Sequence, residues 1–295
     1  MLTEEPSQQQ VTPPVSEEPS PITPDFGDVH QPVVTSSSAL RWLPWLDVLK
    51  AIGLWFLSVF LLLVIPLLAV VPYIIYKVQA AGGVAALTPE ALKSDKMLIF
   101  WSVVGILPAH LLTLALAWLV VTEGGRRNFW SEINWGWPKW TNPVAVTLVS
   151  VLTALVLYGI AFGATTVYGG EKTDLDIMIE SSNYTRIATA LVAFATAPLV
   201  EEVIYRGIIY PALEKVMGVG FAVAVVSMLF AGVHVYQYRT NIAVILVITL
   251  LSITLTVARA VTGKLTPSFI IHLVFNGVQS VLIVLGGFLD KNLVK

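Results

Sequence analysis

The stretch AIGLWFLSVFLLLVIPLLAVVPYIIY, residues 51–76, contains no Asp, Glu, Lys or Arg. About 20 apolar residues in a helix suffice to cross the ~30 Å hydrocarbon core of a bilayer. No open strand or loop can do the same, because lipid offers its backbone N–H and C=O groups no partner. The stretch therefore predicts a transmembrane helix. Five more charge-free runs follow at 97–122, 140–170, 216–238, 240–258 and 265–289. A further apolar segment, 187–213, is as long but carries Glu201, Glu202 and Arg206. The resulting fold class is all-α, a polytopic transmembrane helical bundle of about seven spans. Pro66, Pro72, Pro108 and Pro198 are its expected kinks.

Composition agrees with this reading. Of 295 residues, 56% are hydrophobic and 12% charged, with a mean hydropathy of +0.79. Soluble domains hold about 25% charged residues, so a soluble class is excluded for the bulk of the chain. A net charge of -2 offers no basic footprint and excludes a nucleic-acid partner. The absence of Cys removes disulfides, thiolate metal sites and a thiol nucleophile.

Residues 1–40 are different material, with seven prolines, six acidic residues and no Lys or Arg. Such a segment buries too little apolar surface to offset its ordering entropy, so a disordered acidic Pro-rich tail is expected. It lacks the basic start and early apolar core of a signal peptide. Residues 41–170 then supply accessory transmembrane helices. The connections between spans are short, so any chemistry sits in or against the membrane. Trp42, Trp45, Trp130, Trp135, Trp137 and Trp140 flank spans, where amphipathic rings anchor at the interface. Lys and Arg divide equally between the two sides. The Arg126-Arg127 pair and the missing signal peptide favour a cytoplasmic N-terminus.

A charge inside a span costs about 2.5–3.5 kcal/mol on insertion scales, so three in one segment need a reason. Glu202 and Arg206 are spaced i,i+4, share a helical face and can neutralise each other. Glu201 is turned about 100° from Glu202 and is the carboxylate left free to act as a base. Two histidines in later spans have neighbours at the same spacing, Phe230 with His234 and His272 with Asn276. His110 also lies in a span, without an assigned role. If Gly218 marks a hairpin turn, Glu201 and His234 stand at nearly equal depth on either side of it. His272 enters from the turn at Gly263 and matches that depth less well.

Hydrolysis is one reaction that a carboxylate, imidazoles and an amide can support, since it needs an activated water, a proton shuttle and a donor to the oxyanion. Glu201 can take the proton, His234 can polarise the water, and Asn276, oriented with His272, can donate to the oxyanion. These groups are expected to converge on one hydrated cavity walled by Phe230. It should open toward the face of Gly218 and Gly263, or sideways between helices.

Three successive spans thus carry Glu201-Glu202-Val203-Ile204-Tyr205-Arg206, Phe230-Ala231-Gly232-Val233-His234 and His272-Leu273-Val274-Phe275-Asn276. Together they resemble the three signatures of the CAAX protease and bacteriocin-processing family of intramembrane endopeptidases, over roughly residues 187–290. The resemblance implies proteolysis of a membrane-associated peptide or protein, prenylated or not, with the bilayer as its setting. It implies a site in which Glu201 activates water beside His234, His272 and Asn276 form the other polar wall, and Glu202 and Arg206 support them.

Family members are usually classed as metalloproteases, and Glu201, His234 and His272 could supply three ligands to zinc. No His-Glu-x-x-His is present, and a metal-free, glutamate-activated water fits the same residues. Two other functions keep the same core: a non-proteolytic scaffold or bacteriocin-immunity protein, and a proton-coupled transporter. Absent internal repeat symmetry counts against the transporter. The short loops favour a bacterial plasma membrane.

Overall fold

The computed structural model describes residues 44–84 and 88–293. The segment 1–40, with His30, and Trp42 lie outside the described residues. Helix α1 runs Pro44–Ala80, with Pro66 and Pro72 inside one continuous element. Short α2 (Pro89–Lys93) precedes α3 (Lys96–Val104) and α4 (Ile106–Val121), which together make one crossing. The junction is Gly105, where a Cβ would stand 2.7 Å from the Pro66 Cα and 2.9 Å from the Ala69 Cβ. Only a residue without a side chain lets α1 approach so closely. Pro108 falls in the first turn of α4, where a missing N–H costs no helical bond.

Then follow α5 (Phe129–Glu132), the long α6 (Pro143–Tyr168), α7 (Asp174–Ser181) and α8 (Asn183–Leu191). A π-helical segment at Val192–Thr196 leads into α9 (Ala197–Glu201), and a second π segment covers Glu202–Ile209. The chain ends with α10 (Tyr210–Tyr238), α11 (Ile242–Thr262) and α12 (Leu265–Leu293). No strand occurs among the described residues.

Six helical stretches are long and apolar enough to span a bilayer, and one of them, Asn183–Tyr238, is 56 residues long. A straight helix would separate Tyr205 from Phe230 by about 38 Å at 1.5 Å per residue. Their ring centroids are 5.2 Å apart. The stretch therefore doubles back, and it does so at Gly218, whose φ of 78° and ψ of 167° leave the helix. Counted by crossings, the bundle has the seven spans that the sequence implies.

Two apolar clusters hold the bundle. The larger joins α1 and α4 to the segment 199–230 and includes fully buried Ile133 from the connector after α5. That connector is fixed by Leu265 N–H donating to the Asn134 carbonyl and Gly136 N–H donating to Thr266 Oγ1, both at 3.0 Å. The smaller packs Ala154, Leu157 and Ala161 of α6 on α11 and α12. Trp45, Trp130, Trp137 and Trp140 stay exposed, as interfacial anchors should. Trp135 is different: it packs between Trp130 and Phe269 at 5.3 and 5.1 Å.

Candidate active site

The segment 192–209 is built from two widened turns around a single short helix. Proline lacks an N–H, and its ring pushes away the carbonyl of residue i−4. For Pro198 that residue is Phe194, in the first π segment. The kink expected at Pro198 thus takes the form of a π turn, a rare feature that recurs at functional sites. Glu201 ends α9 and Glu202 opens the second π segment.

Glu202 and Arg206 are both fully buried, and Arg206 Nη1 donates to Glu202 Oε1 at 3.0 Å. A buried pair is tolerable only when its remaining donors are met, and α11 meets them. Arg206 Nη2 reaches the Ser252 hydroxyl at 2.7 Å and the Ser252 carbonyl at 3.0 Å, while Nε reaches Thr256 Oγ1 at 3.2 Å. The Phe230 ring lies 4.7 Å from the guanidinium carbon. The Arg206 carbonyl in turn accepts from Arg259 Nε at 3.2 Å.

His272 joins the two glutamates. Its Nδ1 is 3.0 Å from Glu202 Oε1, and its Nε2 is 3.5 Å from Glu201 Oε2. The larger depth mismatch expected for His272 is closed by packing. Since a carboxylate oxygen only accepts, Nδ1 carries the proton, and a neutral His272 presents a lone pair to Glu201. The His272 side chain is 2% exposed, whereas that of Glu201 is 24% exposed. His234 Nδ1 lies 2.8 Å from the Phe230 carbonyl, so its Nε2 is the free ring nitrogen. The Phe230 and His234 rings pack at 4.8 Å. Asn276 Nδ2 donates to the Ala193 carbonyl at 3.0 Å, inside the first π segment, and keeps its second N–H.

Glu201, His234, His272, Asn276 and Phe230 all line one cavity of about 380 Å³. Its position corrects the first of the two expected openings, the one toward Gly218 and Gly263. The lining includes Leu175 and Met178 of α7 together with Gln237 and Tyr238, and no residue of the Gly218 or Gly263 turns. The cavity therefore reaches toward the α7 end of the bundle, which Arg239 Nη1 ties to Asp174 at 3.0 Å. The depth of Glu201 follows from its distance along the helix from Gly218, which carries it toward the opposite end. The wall is also not confined to residues 187–290, since Ser58, Leu62, Val103 and His110 contribute to it.

Several supporting groups lay beyond the sequence reading. Ser252 and Thr256 were legible as an i,i+4 polar pair in a charge-free run, but nothing local names Arg206 as their partner. Trp55 Nε1 donates to the Tyr205 hydroxyl at 2.9 Å, a contact between elements 150 positions apart that no spacing rule reveals.

Among the described residues no three His, Cys, Asp or Glu side chains are grouped to hold one ion. Glu201 and His272 come together as two donors, one short of the three that a catalytic zinc takes from protein.

Residues 183–278 match the model of the Rce1-like family, described as type II CAAX prenyl endopeptidase Rce1-like. The match starts at the first residue of α8, ends within α12 and encloses Glu201, Glu202, Arg206, Phe230, His234, His272 and Asn276. No curated protein and no solved structure matches the chain.

Proposed function

We propose, from the match of residues 183–278 to the Rce1-like type II CAAX prenyl endopeptidase model, that the chain is an intramembrane endopeptidase. Glu201 activates a water against a peptide bond of a membrane-associated substrate. The observation that carries this reading is the chain of contacts Arg206–Glu202–His272–Glu201 ending at the cavity wall. Arg206 and Glu202 are held rigidly out of water and orient the imidazole. Glu201, partly open to the cavity, is the group able to meet a reactant.

The proton path follows from the donors. Glu201 takes a proton from water as the oxygen bonds to the substrate carbonyl carbon. That proton then lies between Glu201 Oε2 and the lone pair of His272 Nε2, where it converts a contact of two acceptors into a hydrogen bond. It passes to the leaving amine as the C–N bond breaks, restoring the carboxylate. The free Nε2 of His234 orients the water, and the second N–H of Asn276 donates to the developing oxyanion. No step of this route passes through zinc.

Prenylated peptides are one substrate class to test, since the family description names them. The short connections support a bacterial plasma membrane as the setting. The test is cleavage of a membrane-tethered peptide, with and without a prenyl chain, by the purified full chain in liposomes. Activity should vanish in Glu201→Ala and survive exhaustive chelation, with less than one equivalent of metal by elemental analysis. Equal cleavage by Glu201→Ala would remove Glu201 from the reaction. Loss of activity on chelation, restored by added zinc, would overturn the metal-free route.

A further inference from the structure

His110 is a buried ionisable group that the proposed chemistry does not use. It belongs to α4, outside the matched segment, and is 4% exposed. Its Nδ1 lies 2.8 Å from Thr196 Oγ1, and it lines the same cavity as Glu201. Thr196 is the last residue of the first π segment and stands directly before α9, the five-residue helix that ends at Glu201.

The backbone around Glu201 makes this contact consequential. An α-helix sets the rotation of each residue through a continuous i→i−4 ladder. Here α9 is flanked on both sides by π segments, where wider i→i−5 bonds, Ala197 N–H to the Val192 carbonyl and Tyr210 N–H to the Tyr205 carbonyl, replace that ladder. Side-chain ties add to the backbone in fixing the rotation of α9. On the C-terminal side, Glu202 is tied to Arg206 and His272. On the N-terminal side there are two ties from two different helices. Asn276 of α12 holds the Ala193 carbonyl, and His110 of α4 holds Thr196. The Thr196 hydroxyl also reaches the Val192 carbonyl at 3.3 Å, closing the widened turn on itself.

We propose that His110 is a positioning residue of the site. Through Thr196 it sets the rotation of α9 and so the place of the Glu201 carboxylate in the cavity. The accessory helices would then be part of the active unit and not only a membrane anchor for it. The catalytic side of this inference rests on the proposed proteolysis; the positional side does not.

The test uses the full chain carrying His110→Phe, Thr196→Val, both together, or His110→Asn, whose amide can replace the Nδ1 contact. A misplacement of about 1 Å costs up to about a hundredfold in rate. The kcat for a membrane-tethered peptide should therefore fall about tenfold or more in His110→Phe and in Thr196→Val, with KM within about twofold. The double variant should be no slower than either single one, and His110→Asn should retain most of the rate.

A positional readout uses the absence of cysteine in the chain. Single cysteines at Glu201, facing the cavity, and at Leu199, packed on the core, are alkylated with a small methanethiosulfonate. The 201:199 rate ratio should drop several-fold in His110→Phe and Thr196→Val and persist in His110→Asn. An unchanged ratio in folded variants overturns the inference whatever the activity. A parent chain that cleaves no peptide while the ratio moves overturns the proposed proteolysis and leaves the positioning role standing.

Discussion

Helix α6 and the leg 183–217 cross the same solvent in opposite ways. In α6 the buried positions are Val146, Ser150, Ala154, Leu157 and Ala161, the three- and four-residue spacing of a single stripe. The other side, including Leu148 and Leu152 at 65% and 63% exposure, faces lipid. The helix is an unbroken α-helix with no charge to satisfy. The leg 183–217 contains two π segments, and from Glu202 to Ile209 every residue except Ile208 is buried. An apolar helix needs protein on one side only. A helix carrying Glu202 and Arg206 needs protein all round, because each lone pair and N–H left toward lipid would cost several kcal/mol. Burial in this molecule thus follows the polar groups more closely than the apolar ones.

The largest expected effect falls on Glu201, the carboxylate of the leg that lines the cavity. Glu201→Gln should lower turnover by about 10²–10⁴-fold, the range for a lost general base, with the thermal midpoint in detergent unchanged. Glu202→Gln should lose activity together with stability, because it leaves Arg206 unpaired. Equal losses from both at unchanged midpoints would break the distinction between a reacting and an orienting glutamate. Arg206→Ala comes next. Removing one member of a buried pair costs about 3–5 kcal/mol, read as a large drop in the unfolding midpoint and in folded yield.

Within α6 the two faces should respond differently. Ala154, fully buried against α11 and α12, should not accept Leu, and overpacking there costs about 1–3 kcal/mol. Leu152→Ala, on the lipid-facing side, should stay within about 0.5 kcal/mol of the parent. A large loss at Leu152 would mean that this face is covered by another chain.

The smallest effect belongs to the aqueous rim. Asp95 caps α3 through the N–H groups of Met97 and Leu98, and it accepts from Tyr73 and from Lys77 Nζ at 2.9 Å. Burial pushes its carboxyl up, but the Lys77, Leu98 and Tyr73 hydrogen bonds outweigh it and hold the group below the ordinary 3.8. A carboxylate depressed on folding adds stability above its unfolded value and loses it as pH falls through the folded one. The unfolding midpoint should therefore drop modestly below about pH 4, and Asp95→Asn should flatten that limb.

Lipid-spanning segments, their number and the suspicion attached to Glu201, Glu202 and Arg206 were all legible in the sequence. Charge-free length and i,i+4 spacing are local properties, and a bilayer permits one backbone state for a separate span. The three motif helices were legible as well, since their residue types recur at helical spacing. Three things were left to the tertiary structure. These are the use of Ser252 and Thr256 to satisfy Arg206, the tie of His110 to Thr196, and the end of the bundle toward which the cavity reaches. Each depends on the rotation and vertical register of one helix against another. Side-chain packing and the close approach at Gly105 set those quantities, and no periodicity within a single span encodes them.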